Sequence, residues 1–462
     1  MAIQPPFLHS AGGAETVTGS CHYVDLGETR LLVDCGAFQG GRTLEARNRE
    51  TFPFDPTQLD AMLLTHAHLD HVGRTPHLIA SGFDGPIYCA PGSDAIAEVI
   101  LRDAAKIAWE DYERALRRAR RAGREADVEP PPFDERDVER VLAALKPVPY
   151  EESFKVGSVT VTLHPAGHVV GSAWIDLDTP DGRIVFSGDL GNRESLLHPT
   201  PNRPGPARAV VCEGTYGNRT HRSREATIAE FRDVLTRAAE SGGRVLIPSF
   251  ALERTQAVLY EIHRLQLDGE IPGIPVFLDS PMASKMTAVY RRHADAFRDE
   301  VRELNGEGGD PFTPPHFHAT VSADESRALN DLDEPAIIIA GSGMMTGGRI
   351  LHHLKHHMWK PDTHLVVVGY QARGSLGRAI VDGAKHVRIY GDDIAIRGTV
   401  HTIGGLSAHA DRDDLDHWLA ETGDARVYLV HGEVDVLDTY AQHLNQAGRT
   451  AHVVPDGRPI TL

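Results

Sequence analysis

Four side chains able to hold a metal fall within six residues, His66-Ala-His68-Leu-Asp70-His71. Three imidazoles and a carboxylate at that density are poor packing material, and imidazole is the commonest protein ligand for borderline metals. The apolar run Ala61-Met62-Leu63-Leu64-Thr65 ahead of them reads as a buried strand ending at the histidines. A helix would scatter the four around its axis. A loop leaving a strand end folds them inward, with His66 and His68 facing one point and Asp70 and His71 a neighbouring one. Mixed imidazole and carboxylate donors suit two closely spaced zinc, manganese or iron ions.

More such residues recur, each at the end of a strand-like run and each beside glycine. Asp34 closes Leu31-Leu32-Val33, His168 lies in Pro165-Ala-Gly-His-Val-Val-Gly171, Asp189 in Phe186-Ser-Gly-Asp-Leu-Gly191, and His431 ends Tyr428-Leu-Val before Gly432. Glycine lets the backbone turn sharply and approach closely at such points, and strand ends hold ligands rigidly.

The elements that must position them follow from the texture of the chain. Its 462 residues allow a large core and more than one domain. In the first third, short apolar runs alternate with glycine-rich turns, as at Arg30–Asp34, Asp60–Thr65 and Ile87–Cys89, and predict strands. Residues 93–124 and 136–145 predict helices, and strands resume at Val159–Leu163, Ala173–Leu177, Arg183–Ser187 and Ala209–Glu213. From about 214 strand-then-helix units appear: Arg244–Pro248 into 252–266, Val276–Asp279 into 283–297, Ala336–Ala340 into 347–358, Leu365–Gly369 into 375–383. Buried strands alternating with helices predict a parallel, doubly wound sheet. Strand texture returns at 387–403 and Val427–Val430, with a last helix at 436–446, and Asn305–Pro315 reads as a mobile loop. The net charge of −18 argues against a protein coated in nucleic acid without excluding one. Cys21, Cys35, Cys89 and Cys212 form no Cys-x-x-Cys pair and read as buried thiols of a reducing compartment. No leader and no membrane-length apolar run is evident, so the expected location is the cytoplasm, with no membrane partner.

The His-x-His-x-Asp-His motif, followed in order by His168, Asp189 and His431, resembles the metallo-β-lactamase superfamily. Glu213 in Val211-Cys-Glu-Gly-Thr-Tyr-Gly217 and His409 in Leu406-Ser-Ala-His-Ala-Asp411 narrow the resemblance to the β-CASP nucleases. The runs Gly243–Phe250, Leu278–Pro281, Ser342–Gly348 and Gly369–Arg378 are similar to the branch containing the mRNA 3′-end-processing endonuclease and its prokaryotic relatives, and more distantly to RNase J. The resemblance spans almost the whole chain.

It implies an α/β protein, an αββα sandwich split into residues 1–207 and 402–462, with a doubly wound β-CASP domain inserted at 208–401 and the active site in the cleft between them. It implies two divalent ions, zinc ahead of manganese, one held by His66, His68 and His168, the other by Asp70, His71 and His431, with Asp189 bridging and Asp34 orienting the histidine loop. A hydroxide between the ions would attack an RNA phosphodiester and leave a 5′-phosphate. His409 would protonate the leaving 3′-oxygen, oriented by Glu213. A histidine at 431, where DNA-processing relatives tend to be apolar, implies single-stranded RNA as the partner. About 30 residues follow His431. That leaves no room for RNase J's additional C-terminal domain and favours endonucleolytic cleavage, with 5′-to-3′ exonuclease activity and homodimer formation left open. The alternatives are a catalytically silent RNA-binding subunit and a thioester hydrolase on the same fold.

Other signals are weaker. Ser342 and the glycines after it lead toward a helix predicted from about Thr346, whose amides would suit a substrate phosphate. Ser249 and Arg378 are further phosphate candidates. His352, His353, His356 and His357 on helix 347–358 read as solvated, not chelating, because no carboxylate lies between them. The cluster Arg114, Arg117, Arg118, Arg120, Arg121 and Arg124 reads as a solvated helix face, with an RNA backbone track as the alternative. His164 and His401 read as packing residues, and the four tryptophans as too dispersed for a stacking platform.

Overall fold

The computed structural model describes residues 6–306, 309–332, 334–372 and 374–462. The chain divides into two compact units: Met1–Arg193, Thr200–Thr220 and His409–Leu462 form the first, Glu194–Pro199 and His221–Ala408 the second.

The first unit holds two seven-stranded sheets. One runs Ile460–Thr461, Phe7–Ser10, His22–Asp25, Arg30–Val33, Ala61–Leu63, Ile87–Cys89, Leu145–Pro147. The other runs Ala451–Val453, Arg426–Val430, Ala209–Glu213, Gly182–Phe186, Ala173–Thr179, Val159–Pro165, Ser153–Val156. Strict alternation in Val159–Pro165 sends Val159, Val161 and Leu163 inward. They join Leu8, Val24, Leu31, Val33 and Leu63 of the opposite sheet and Ile175, Leu177, Phe186 and Val211 of their own in one buried core, so the sheets pack face to face. The outer face of the second sheet is covered by helices Arg412–Leu419 and Val434–Gln446, through Leu415, Trp418, Leu437 and Tyr440. Helices Thr75–Ala80, Ser93–Arg121 and Glu135–Ala144 pack together beside the first sheet. The result is the αββα sandwich expected from the sequence.

The second unit is built on a six-stranded sheet in the order Phe317–Ala319, Val276–Asp279, Ala336–Ala340, Arg244–Pro248, His364–Val367, Thr399–Thr402, with every pair parallel. Its two central strands are buried along their whole length, as a parallel sheet covered on both faces requires. Helices Arg224–Glu240, Arg254–Leu267, Pro281–Arg292, Ile350–His357 and Leu376–Val381 connect the strands, and His386–Ile389 with Asp392–Ala395 forms a separate antiparallel ribbon.

The unit limits differ from the boundaries expected at 208 and 402. Residues 208–220 belong to the sandwich because Ala209–Glu213 pairs in parallel with both Gly182–Phe186 and Arg426–Val430. Helix Arg224–Glu240, which the sequence reading passed over, opens the second unit under a Ser223 cap. The loop expected at Asn305–Pro315 lies partly outside the described residues, and helix Asp299–Gly306 reaches into its start.

Candidate metal centre

Strand Ala61–Leu63 delivers Leu64 and Thr65, and His66 follows at its carboxyl end. The motif is less of a loop than its sequence suggests. His68 is the N-cap residue of a one-turn helix, Leu69–Val72, that carries Asp70 and His71. Gly36 makes this possible, since a Cβ there would lie 1.6 Å from the Asp70 carbonyl oxygen. Gly191 plays the same part beside His168, where a Cβ would meet the Gly167 carbonyl at 1.8 Å. Asp34 and His431 both adopt left-handed backbone, φ 60° and 50°, at the ends of their strands, a conformation that costs free energy in non-glycine residues and clusters at functional sites.

Three overlapping groups of donor atoms result, each mutually within 4.8 Å: His66, His68, His168 and Asp189; Asp70, His71 and His431; and Asp189, His409 and His431. Asp189 faces the histidines of the first two. Its Oδ2 is 3.6 Å from His66 Nε2 and 3.7 Å from His168 Nε2; its Oδ1 is 3.4 Å from His71 Nε2 and 3.5 Å from His431 Nδ1. His68 Nδ1 lies 2.9 Å from His66 Nε2 and 3.3 Å from His168 Nε2, and His431 Nε2 lies 3.5 Å from Asp70 Oδ2. All seven sequence-predicted donors therefore converge within the first unit.

Asp189 is 2% exposed, and its Oδ1 has no hydrogen-bond donor. A buried carboxylate oxygen without a donor is costly, and here it is ringed by imidazole nitrogens crowded upon one another. That orphaned atom and the N/O donor set fit divalent cations. Burial opposes ionisation of Asp189, yet the surrounding imidazoles of His431, His71 and His66 hold it well below the usual carboxylate range. Burial is the main cause that pushes His66 and His68 below the ordinary imidazole value, which keeps their lone pairs available for ligation.

Asp34 sits behind this cluster, 1% exposed. It accepts hydrogen bonds from Thr65 N at 2.8 Å, Thr65 Oγ1 at 2.7 Å and His71 Nδ1 at 2.7 Å. With Nδ1 engaged there, His71 turns Nε2 toward Asp189 and His431. Thr215 Oγ1 bonds His431 Nδ1 at 3.0 Å and the His431 carbonyl at 3.0 Å. The sequence reading missed both threonines; Thr215, two residues after Glu213 in the quoted motif, was the traceable one.

Glu213 and His409 meet beside the donors. Glu213 is fully buried, accepts from Leu190 N at 2.6 Å and lies 3.3 Å from His409 Nδ1. His409 Nδ1 is also 3.8 Å from Asp189 Oδ2, while the His409 side chain stays 22% exposed. Burial pulls the His409 pKa down, but the Glu213 carboxylate and then Asp189 raise it to about 10. Tyr216, which the sequence analysis quotes in the Glu213 motif but gives no role, meets the His409 ring edge to face with centroids 6.0 Å apart and carries the Arg219 guanidinium over its own ring.

The three phosphate candidates belong to the second unit and are engaged locally. Ser249 is 2% exposed and accepts from Thr255 Oγ1 at 3.0 Å. Ser342 Oγ accepts from Thr346 N at 3.1 Å within a turn. The helix expected from Thr346 begins only at Ile350, because Gly347 and Gly348 extend the turn. Arg378 pairs with Asp382 at 2.9 Å. The helix histidines depart from expectation in part: His352 and His356 are exposed, but His353 and His357 are buried. His164 stacks on Trp174 at 3.8 Å and His401 on His364 at 5.3 Å, as packing residues do. All four cysteines are buried and free, and among the described residues no helix is long and apolar enough to cross a membrane.

An αββα sandwich whose strand ends converge five histidines and two aspartates defines a metallo-hydrolase of the metallo-β-lactamase superfamily. The model of that superfamily matches residues 15–249, that of the Beta-Casp domain 255–380, and that of the Zn-dependent metallo-hydrolase RNA specificity domain 393–455. Ribonuclease TTHA0252 of Thermus thermophilus is 42% identical over 98% of this chain and 99% of its own length. Transcription termination factor FttA of Methanocaldococcus jannaschii is 32% identical over 93% of this chain and 68% of its own. A crystal structure of a protein of unknown function from Enterococcus faecalis V583 shares the fold across 99% of both chains, with a TM-score of 0.55 at 15% identity. The chain belongs to the β-CASP ribonuclease family.

Proposed function

We propose that this protein is a metal-dependent ribonuclease that cuts single-stranded RNA, mainly endonucleolytically, and leaves 5′-phosphate ends. The observation that carries the reading is the buried Asp189 carboxylate facing two donor groups, with the Glu213–His409 pair at its side. His66, His68 and His168 would hold one divalent cation and Asp70, His71 and His431 the other, with Asp189 shared. Zinc is the first choice for both cations and manganese the second. Such a pair supplies Lewis acidity at phosphoryl oxygen and acidifies water. Asp34 and Thr215 fix the ring orientations of His71 and His431.

His409 is the proton donor in this reading. Its Nδ1 is committed to Glu213, so Nε2 delivers the proton to the 3′-oxygen as the P–O3′ bond breaks. Glu213 keeps the imidazolium charged and aligned, and a positioned donor of this kind contributes about 10²–10⁴-fold. The family membership and the RNA specificity match support RNA as substrate, and the buried free thiols support a reducing cytoplasm.

The test incubates purified protein with labelled RNA, single-stranded DNA and a thioester, with and without chelator, and maps cut positions and end groups. Chelator-sensitive internal cuts bearing 5′-phosphates, absent with His68→Ala, are expected. RNA left intact by cation-loaded protein would end the reading. Cuts that survive His68→Ala would mark a contaminating nuclease. Elemental analysis of the same preparation reads the metal.

A further inference from the structure

Helix Ser93–Arg121 is 29 residues long, yet its buried residues, Ser93, Ile96, Ala97, Ile100, Leu101 and Ala105, all lie in its first half. From Lys106 to Arg121 no residue is buried. At 1.5 Å per residue this distal part extends about 24 Å. Its half-buried residues, Ala108, Trp109, Tyr112, Leu116 and Ala119, recur at helical spacing along one side. Arg114, Arg117, Arg118 and Arg121 fall within an arc of roughly 100° on the opposite side.

The stretch from Arg114 to Arg124 holds six arginines and no carboxylate, in a chain of net charge −18. All six are exposed. Arg114 and Arg117 pair with Asp111 and Glu113, nearer the body of the helix. Among the described residues Arg118, Arg120, Arg121 and Arg124 have no ion-pair partner. Arg118, Arg120 and Arg121 stand in the last turn of the helix, where basic residues also suit the helix dipole, whereas Arg124 lies beyond the helix and Arg114 and Arg117 lie before that turn, so the dipole does not account for the whole run. A polyanion is repelled by most of a surface this acidic and attracted where local positive charge prevails within a Debye length.

We propose that the distal end of helix Ser93–Arg121 is an RNA-backbone docking site, in which the exposed guanidiniums of Arg118 and Arg121 on one side, Arg120 on the flank and Arg124 just beyond the helix contact phosphates of a single-stranded RNA that bends round the tip. The assignment rests on the ribonuclease reading and adds a second, sequence-independent hold on the same substrate. Phosphate contacts position a strand without reading its bases, so the effect is on affinity and salt response.

The experiment measures binding of a labelled, unstructured RNA of about 30 nucleotides by fluorescence anisotropy from roughly 50 to 300 mM salt. Every sample carries Asp189→Asn so that the RNA survives. Single-strand binding has a slope of about −0.7 in log affinity against log salt for each phosphate neutralised, so changing the four arginines to Gln should make the slope shallower by about 3 and weaken binding roughly tenfold or more. Changing the same four to Lys should restore the slope, and Arg136→Gln on the neighbouring helix should not move it. Thermal melting confirms that each variant is folded. Coincident slopes for the parent and a folded Gln variant overturn the assignment and leave the tip to an acidic protein partner or to solvent. If the cation-loaded native chain cuts RNA while those slopes coincide, only this assignment falls. If the native chain neither binds nor cuts RNA, the ribonuclease reading falls as well.

Discussion

The two units each bury an aspartate among histidines, and the two aspartates are treated in opposite ways. In the second unit Asp279 is fully buried at the end of strand Val276–Asp279. It accepts from His353 Nε2 at 2.7 Å, Arg349 Nη1 at 2.6 Å and Ser326 Oγ at 2.6 Å, and also from Thr320 Oγ1. Asn330 extends the network to His353 Nδ1 and His357 Nε2. Burial works against the Asp279 charge, but these donors hold the carboxyl well below its ordinary range. In the first unit Asp189 Oδ1 has no donor, and its neighbours are imidazole nitrogens turned toward it and toward each other. Proximity of histidine and aspartate is therefore not the mark of a metal centre. The mark is the donor balance: a structural carboxylate is saturated by N–H and O–H groups, whereas a buried carboxylate oxygen left without a hydrogen bond among crowded imidazoles fits a cation.

The sharpest attempt to break this contrast is Asp189→Asn. It should reduce bound divalent cation and RNA cleavage to background while leaving the melting temperature close to that of the parent, since it removes a buried charge that no hydrogen-bond donor fully satisfies. Inductively coupled plasma analysis and calorimetry on one preparation read both. Retained cation with lost cleavage would give Asp189 a purely catalytic role.

Asp279→Ala should do the reverse. Stranding Arg349 and His353 should destabilise the protein by about 3–5 kcal/mol, as breaking a buried ion pair does. Bound cation per folded molecule should not change. Urea denaturation checks the first outcome and metal analysis of the soluble fraction the second. A cation lost from folded Asp279→Ala would mean that the second cluster is not purely structural.

A smaller effect comes from His357. Burial, with Arg244 and Lys360 nearby, depresses its pKa to about 3 from 6.5, so it is neutral in the fold and takes up a proton only on unfolding. The unfolded chain then binds more protons between pH 6.5 and 3, and stability falls as pH drops through that window. Replacing His357 with Gln should remove about 1–2 kcal/mol of the loss between pH 7 and 5. Parallel stability–pH curves for parent and variant would show that His357 titrates normally.

Much of the site was legible because its signals are local. His66, His68, Asp70 and His71 sit within one turn of chain, and Asp34, His168, Asp189 and His431 each close an apolar run beside glycine, so residue type and period gave them away. The strand-and-helix texture after 214 announced the parallel sheet. Thr65 and Thr215 escaped because a threonine that orients a distant imidazole looks like any other threonine. The solvated reading of helix Ile350–His357 failed for His353 and His357 because Asn330 and Asp279, which make their burial tolerable, lie 20 to 80 residues upstream. Strand Ala209–Glu213 looks the same in either sheet, and only its partners place it with the sandwich.

The sequence by itself determined the chemical inventory: seven metal-type donors, a sandwich texture interrupted by a doubly wound insert, and a stretch at the end of a long helix whose charged residues are all arginine. Those features are set by residue type, order and periodicity, which tertiary contacts do not alter. The tertiary structure decided which carboxylate is saturated and which keeps an oxygen without a hydrogen bond, which histidines are buried, and which arginines go unpaired. Each of those depends on how many proton donors reach one atom from remote parts of the chain, a quantity that no local pattern encodes.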